Sequence, residues 1–207
     1  MKYSNNDDSK NYLALGDSYT IGESELEINR FPNIAAQMLR AQGKNIEDPE
    51  IIAKTGWTTQ DLLNALEIQK PAKKYSIVTL LIGVNDQYQG KSLAEYRTNF
   101  SALVIRAIGY AGGINKNVVV LSIPDYSVTP FAAGSDTKRI AEEIDQFNSA
   151  NKEISVSLGV NYIDITPISR EGSTDPSLLA VDGLHPSAKQ YKRWAGLLVP
   201  VIKYFIL

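Results

Sequence analysis

A chain with a single histidine can do imidazole chemistry in one place, and that place is His185, within Val181-Asp-Gly-Leu-His-Pro-Ser187. Imidazole is the side chain whose ordinary pKa suits proton transfer near neutral pH, so acid–base work points to this residue. Asp182 lies three residues ahead of it. An acid there could hold one ring nitrogen, fix the tautomer and stabilise an imidazolium. Asp182-Gly183 is also a strong turn signal, and the two readings can hold together. Far upstream, Leu15-Gly-Asp-Ser-Tyr-Thr20 places Ser18 directly after an apolar run. A serine hydroxyl is a poor nucleophile until a neighbouring base takes its proton. At a strand-to-helix turn it would project into a cleft beside the amide donors and positive dipole of the helix start. The plainer alternative is that Asp17 or Ser18 caps a helix; Asp17 is expected to support the turn rather than to react.

Two further segments could supply hydrogen-bond donors to a developing oxyanion. Gly56, in Lys54-Thr-Gly-Trp-Thr58, has no Cβ, so its N–H can approach a ligand closely. Asn85, in Gly83-Val-Asn-Asp86, offers a neutral side-chain amide, although an Asx-turn would explain it as well. Asp86 fits a cap or a buried polar network better than an acid catalyst. A nucleophile, a base, an orienting acid and three donors are the parts that acyl transfer requires.

These residues need a frame that brings them together. Tyr12–Leu15, Glu50–Ala53, Ser76–Ile82, Val118–Ile123 and Val160–Ile163 read as strands, almost continuously apolar as strands covered on both faces are. Helical patterns span Asn33–Ala41, Thr59–Gln69, Ser92–Tyr110, Asp136–Leu158 and Ser187–Tyr204. Thr58 or Thr59 can cap the second of these, Ser92 with Glu95 forms a capping-box pattern, and Pro200 is expected to kink or end the last. Such alternation predicts one α/β domain over residues 11–207, a three-layer α/β/α sandwich on a five-stranded parallel sheet, after a polar tail over residues 1–10. In sheets of this kind ligands bind beyond the carboxyl ends of the strands. The Ser18, Gly56 and Asn85 segments each follow a strand and the Asp182–His185 segment precedes the last helix, so the four would converge on one edge, although composition alone does not demand it.

Composition narrows the partners. A net charge of −2 without a basic stripe argues against nucleic acid. No apolar run approaches the ~20 residues that span a bilayer. The absence of cysteine removes disulfides, thiolate metal sites and a cysteine nucleophile. The polar N-terminus lacks a secretory apolar stretch, so a cytoplasmic location is expected unless an export segment has been removed.

Taken in order, Gly16-Asp-Ser-Tyr-Thr20, Gly56, Gly83-Val-Asn-Asp86 and Asp182-Gly-Leu-His185 resemble the four blocks of the SGNH hydrolases, also called the GDSL esterase/lipase family. The resemblance implies a flavodoxin-like fold and a serine esterase. Ser18 would be the nucleophile, His185 the general base and Asp182 its partner. The Ser18 and Gly56 amides and the Asn85 side chain would form the oxyanion hole, with no metal or organic cofactor. The family's first block commonly has leucine after the serine; Tyr19 here would change packing near the nucleophile without removing a catalytic group. Tyr19, Trp57, Tyr126, Phe131 and Leu184 are candidate pocket residues, and Gly22–Phe31 and Pro124–Thr137 are the long loops near the site. The expected substrate is a small ester with a short or medium acyl chain. Acetylated sugars, lysophospholipids, thioesters and transfer to another acceptor remain open with the same triad. A flavodoxin-like binding protein is the non-enzyme alternative, but no phosphate-cradling glycine motif supports it.

Overall fold

The computed structural model describes residues 9–71 and 73–206. Most of the expected polar tail, residues 1–8, lies outside them. Lys10 already belongs to the fold: it pairs with Ile46 and donates its N–H to the Asn45 carbonyl at 2.8 Å.

Among the described residues, five parallel strands make one sheet in the order β2-β1-β3-β4-β5. They are β1 Tyr12–Gly16, β2 Glu50–Ala53, β3 Ile77–Leu81, β4 Val118–Leu121 and β5 Asn161–Ile163. Every residue of β1, β3 and β4 is buried, whereas the edge strands β2 and β5 are partly exposed. This is why the apolar runs of the inner strands are continuous rather than alternating. The helices are α1 Ser18–Ile21, α2 Phe31–Ala41, α3 Thr59–Gln69, α4 Val84–Tyr88, α5 Leu93–Tyr110, α6 Thr137–Ser157, α7 Thr166–Arg170 and α8 Ala188–Phe205. α2 packs against α8, while α3, α5 and α6 pack in series. The crossover from β1 to β2 runs one way along the sheet and the later ones run the other way. Right-handed connections therefore put the two helix groups on opposite faces. The result is the three-layer α/β/α sandwich read from the sequence.

The long elements start and stop for local reasons. Thr58, not Thr59, caps α3 in a full capping box with Asp61. Ser92 caps α5 by accepting from the Glu95 amide at 3.1 Å. β4 ends at Leu121, earlier than its apolar run, because Asn148 takes both backbone groups of Ile123 (Ile123 N–H to Oδ1 at 2.7 Å, Nδ2 to the Ile123 carbonyl at 2.9 Å). Pro200 does not end α8, which continues to Phe205. An internal proline costs roughly 3 kcal/mol, but each buried side chain among Leu198, Val199 and Ile202 returns roughly 1.5–3 kcal/mol. Packing wins over the local penalty. The short helices α1, α4 and α7 are too brief to show a helical period in sequence.

Candidate active site

β1 delivers the first site residue. An added Cβ on Gly16 would run into Thr20 Oγ1 and the Leu81 carbonyl, so only glycine lets the chain turn here. Asp17 caps α1, its Oδ1 accepting the Tyr19 amide at 3.0 Å. Ser18 is then the first helical residue and is buried. Among the described residues neither its amide nor its hydroxyl has a hydrogen-bond partner.

Gly56 sits beyond β2 in a turn closed by the Trp57 N–H to the Lys54 carbonyl at 3.2 Å. Its φ of +82° lies in the left-handed region, and a Cβ there would meet open space. Glycine is thus required by the backbone, and the Gly56 N–H has no acceptor among the described residues. After β3, α4 carries Asn85, whose Nδ2 donates to the Trp57 carbonyl at 3.0 Å. One amide hydrogen of Asn85 ties down the Gly56 turn, and the other remains available. Asp86 belongs to a buried network: its carboxylate accepts the Thr59 amide and hydroxyl at 2.9 and 2.5 Å.

The fourth segment holds the imidazole. Asp182 Oδ1 accepts the amides of Leu184 and His185 at 2.9 and 3.0 Å, which closes the turn through Gly183. Asp182 Oδ2 lies 2.6 Å from His185 Nδ1 and accepts the Ser24 hydroxyl at 2.6 Å. The turn reading and the orienting-acid geometry therefore coexist. Burial pushes the Asp182 carboxyl up, but hydrogen bonds from Ser24, the His185 ring and the two amides outweigh it and hold the group well below the usual carboxylate range. An ionised carboxylate only accepts, so Nδ1 must carry the proton, and the lone pair of the neutral ring is on Nε2. The Tyr19 ring backs the imidazole, with centroids 5.5 Å apart.

All four segments meet at one cavity of about 140 Å³ at the C-terminal edge of the sheet. Ser18, Gly56, Asn85 and His185 form its polar side, and Tyr19, Val84, Tyr126 and Leu184 line the rest. Tyr88 and Phe131 complete its rim and stay about half exposed, with ring centroids 6.0 Å apart. Trp57, expected in this pocket, does not line it. Its ring packs half-buried against the core, and only its carbonyl reaches the site, through Asn85. Thr55, Val84 and Tyr88 line the cavity although the sequence reading does not place them there. Tyr88 follows Asn85 by three residues, so α4 puts both on one face. Among the described residues no cluster of three His, Asp or Glu side chains has a metal-binding arrangement.

A family model described as GDSL-like lipase/acylhydrolase matches residues 14–193. The chain belongs to that family. It is an ester-hydrolysing enzyme by that membership, and a catalytic triad and oxyanion hole are typical of the group. No curated protein sequence matches the hydrolase. Its fold is shared with solved structures at low identity. The psychrotrophic esterase EstA from Pseudoalteromonas sp. is 19% identical, with 95% of this chain and 98% of that one covered at a TM-score of 0.71. Axe2, an acetylxylan esterase from Geobacillus stearothermophilus, is 20% identical, with 96% of each chain covered at 0.74. A lipase/acylhydrolase from Enterococcus faecalis is 22% identical, with 94% of this chain and 96% of that one covered at 0.69. No helix among the described residues is long and apolar enough to cross a membrane.

Asp17 gives the hydrolase a pH signature. Burial pushes its carboxyl up to about 8; the Tyr19 amide opposes this and the nearby Asp86 charge adds to it. Its Oδ2 is buried with no partner among the described residues. The folded state thus keeps a proton that the unfolded chain releases near pH 4. The stability this proton confers is complete below that pH and is lost as pH rises through about 8. Asp17→Asn removes the titration. From pH 5 to 8 the Tm of the natural protein should fall relative to that of the Asp17→Asn variant, then level off. A constant Tm difference across that range would contradict a buried neutral Asp17.

Proposed function

We propose that the hydrolase cleaves small carboxylic esters through Ser18, His185 and Asp182 by way of an acyl-enzyme. The observation that carries this reading is the 2.6 Å contact of His185 Nδ1 with Asp182 Oδ2, on the wall of the cavity that Ser18 lines. His185 Nε2 takes the Ser18 proton as the oxygen attacks the ester carbonyl. The oxyanion is held by the Ser18 and Gly56 amides and the second Asn85 hydrogen, donors of the kind that stabilise a tetrahedral intermediate. His185 then returns the proton to the leaving alcohol, and a water activated by the same nitrogen hydrolyses the acyl-enzyme. Asp182 stays ionised throughout and stabilises the imidazolium.

The size of the cavity favours a short acyl chain. A cavity of ~150 Å³ takes a benzene-sized guest, so about 140 Å³ suits an acyl group of roughly six non-hydrogen atoms or fewer. The test is a series of p-nitrophenyl acetate, butyrate and octanoate. kcat/KM should be highest for acetate or butyrate and lower by roughly tenfold or more for octanoate, the scale on which a filled pocket rejects extra methylenes. A profile that rises to octanoate would overturn the short-chain reading.

Carbohydrate O-acetyl esterase is the second reading. It is favoured by the exposed Tyr88 and Phe131 rings at the cavity rim, which could receive the face of a sugar. The likeness to an acetylxylan esterase agrees with it. Faster release of acetate from acetylated xylo-oligosaccharides than from p-nitrophenyl acetate would favour that substrate class.

A further inference from the structure

Ser24 stands in an unusual conformation for a residue with a side chain. Its φ is +65°, in the left-handed region that strains any residue except glycine. A glycine there would be easier to fold, so the serine at this position asks for a reason in its side chain. The hydroxyl supplies one, because it donates at 2.6 Å to Asp182 Oδ2, the oxygen that also faces His185 Nδ1. The two residues are 158 positions apart in sequence.

The neighbours of Ser24 reach the other arms of the site. The Glu23 amide donates to the carbonyl of Ser18 at 3.1 Å, which roots the segment on the serine that lines the cavity. The Glu23 carboxylate accepts the hydroxyl of Thr55, in the turn that presents Gly56. Glu25 Oε1 accepts the Ala188 amide at 2.8 Å, at the start of α8 and three residues beyond His185. Glu25 Oε2 accepts Asn29 Nδ2 at 2.9 Å, which fixes the carboxylate from behind. The left-handed residue between the two glutamates lets consecutive side chains point to different loops.

We propose that Glu23-Ser24-Glu25 is a positioning bracket for the active site, with the Ser24 hydroxyl as a fourth member of the Ser18–His185–Asp182 network. This rests on the triad reading above. Two donors on Oδ2 and two backbone amides on Oδ1 leave the Asp182 carboxylate one orientation, and so leave the imidazole one orientation. Ser24 touches neither substrate nor the reacting atoms; it acts through Asp182. Its contribution therefore belongs in kcat rather than KM.

Ser24→Gly separates the hydroxyl from the backbone, since glycine takes a positive φ without strain. Natural protein, Ser18→Ala, Ser24→Ala and Ser24→Gly are compared for kcat, KM and Tm on the best ester of the chain-length series. The sole histidine also gives one Nδ1–H proton resonance, read by NMR in the same samples without any turnover. Ser24→Gly should keep or raise the Tm, lower kcat about three- to tenfold with KM within about twofold, and shift the Nδ1–H resonance. Ser24→Ala should lose the same kcat with a lower Tm. Full kcat in the Ser24→Gly variant, or an unmoved Nδ1–H resonance, overturns the bracket. Absence of Ser18-dependent turnover in the natural protein would instead count against the triad, and the resonance alone would then decide whether Ser24 orients the Asp182–His185 pair.

Discussion

Ser18→Ala should abolish ester hydrolysis, with kcat falling on the order of 10⁶-fold, the scale on which a serine triad loses its nucleophile. The fold should not notice. Ser18 makes no side-chain hydrogen bond among the described residues, so removing its oxygen strands no partner. Stability should stay within about 1 kcal/mol, since no buried group is left unpaired. Binding should also persist, because the cavity's apolar lining and the Gly56 and Asn85 donors remain. Loss of turnover with an unchanged melting profile and a measurable Kd for a non-hydrolysable ester analogue separates chemistry from folding. A variant that still turns over within tenfold of the natural protein would remove Ser18 from the mechanism.

Asp182→Asn should be nearly as damaging, with kcat lower by roughly 10⁴-fold, as expected when an orienting acid becomes an amide. The reason lies in which atoms face the ring. An asparagine oxygen can still accept the Leu184 and His185 amides that Asp182 Oδ1 accepts now, so the turn survives. Its NH₂ then replaces Oδ2, opposite both His185 Nδ1 and the Ser24 hydroxyl. A donor facing Nδ1 favours the tautomer with the proton on Nε2, which leaves no lone pair for the Ser18 proton. The single imidazole makes this visible, because ¹⁵N-histidine labelling reports one ring. The natural protein should show Nδ1 protonated and the Asp182→Asn variant Nε2 protonated. An unchanged tautomer together with unchanged kcat would mean that Asp182 only closes its turn.

Much of this site is legible in the sequence, and the reason is spacing. Asp182 and His185 lie three residues apart, so their pairing is a local event that the turn at Gly183 nearly dictates. The sheet is legible because β1, β3 and β4 are buried on both faces, which writes each of them as an unbroken apolar run. What stays hidden is long-range or balanced against packing. Nothing near Ser24 announces a partner 158 residues away. Trp57 is a pocket candidate in the sequence, but the turn sends its ring to the core and its carbonyl to Asn85. Pro200 reads as a stop signal because local propensity ignores the apolar face that α8 buries beneath it. Tyr88 escapes notice because α4 is only five residues long, too short for its helical face to stand out.

Whether Ser18 is the nucleophile is decided by finding which serine reacts. The protein is incubated with a fluorophosphonate that mimics the tetrahedral intermediate, residual p-nitrophenyl butyrate hydrolysis is followed, and the modified peptide is mapped by mass spectrometry. One phosphonyl group per chain is expected, on Ser18, with activity lost in proportion to labelling. Inactivation with the label on another residue, or full activity with Ser18 fully labelled, would contradict it.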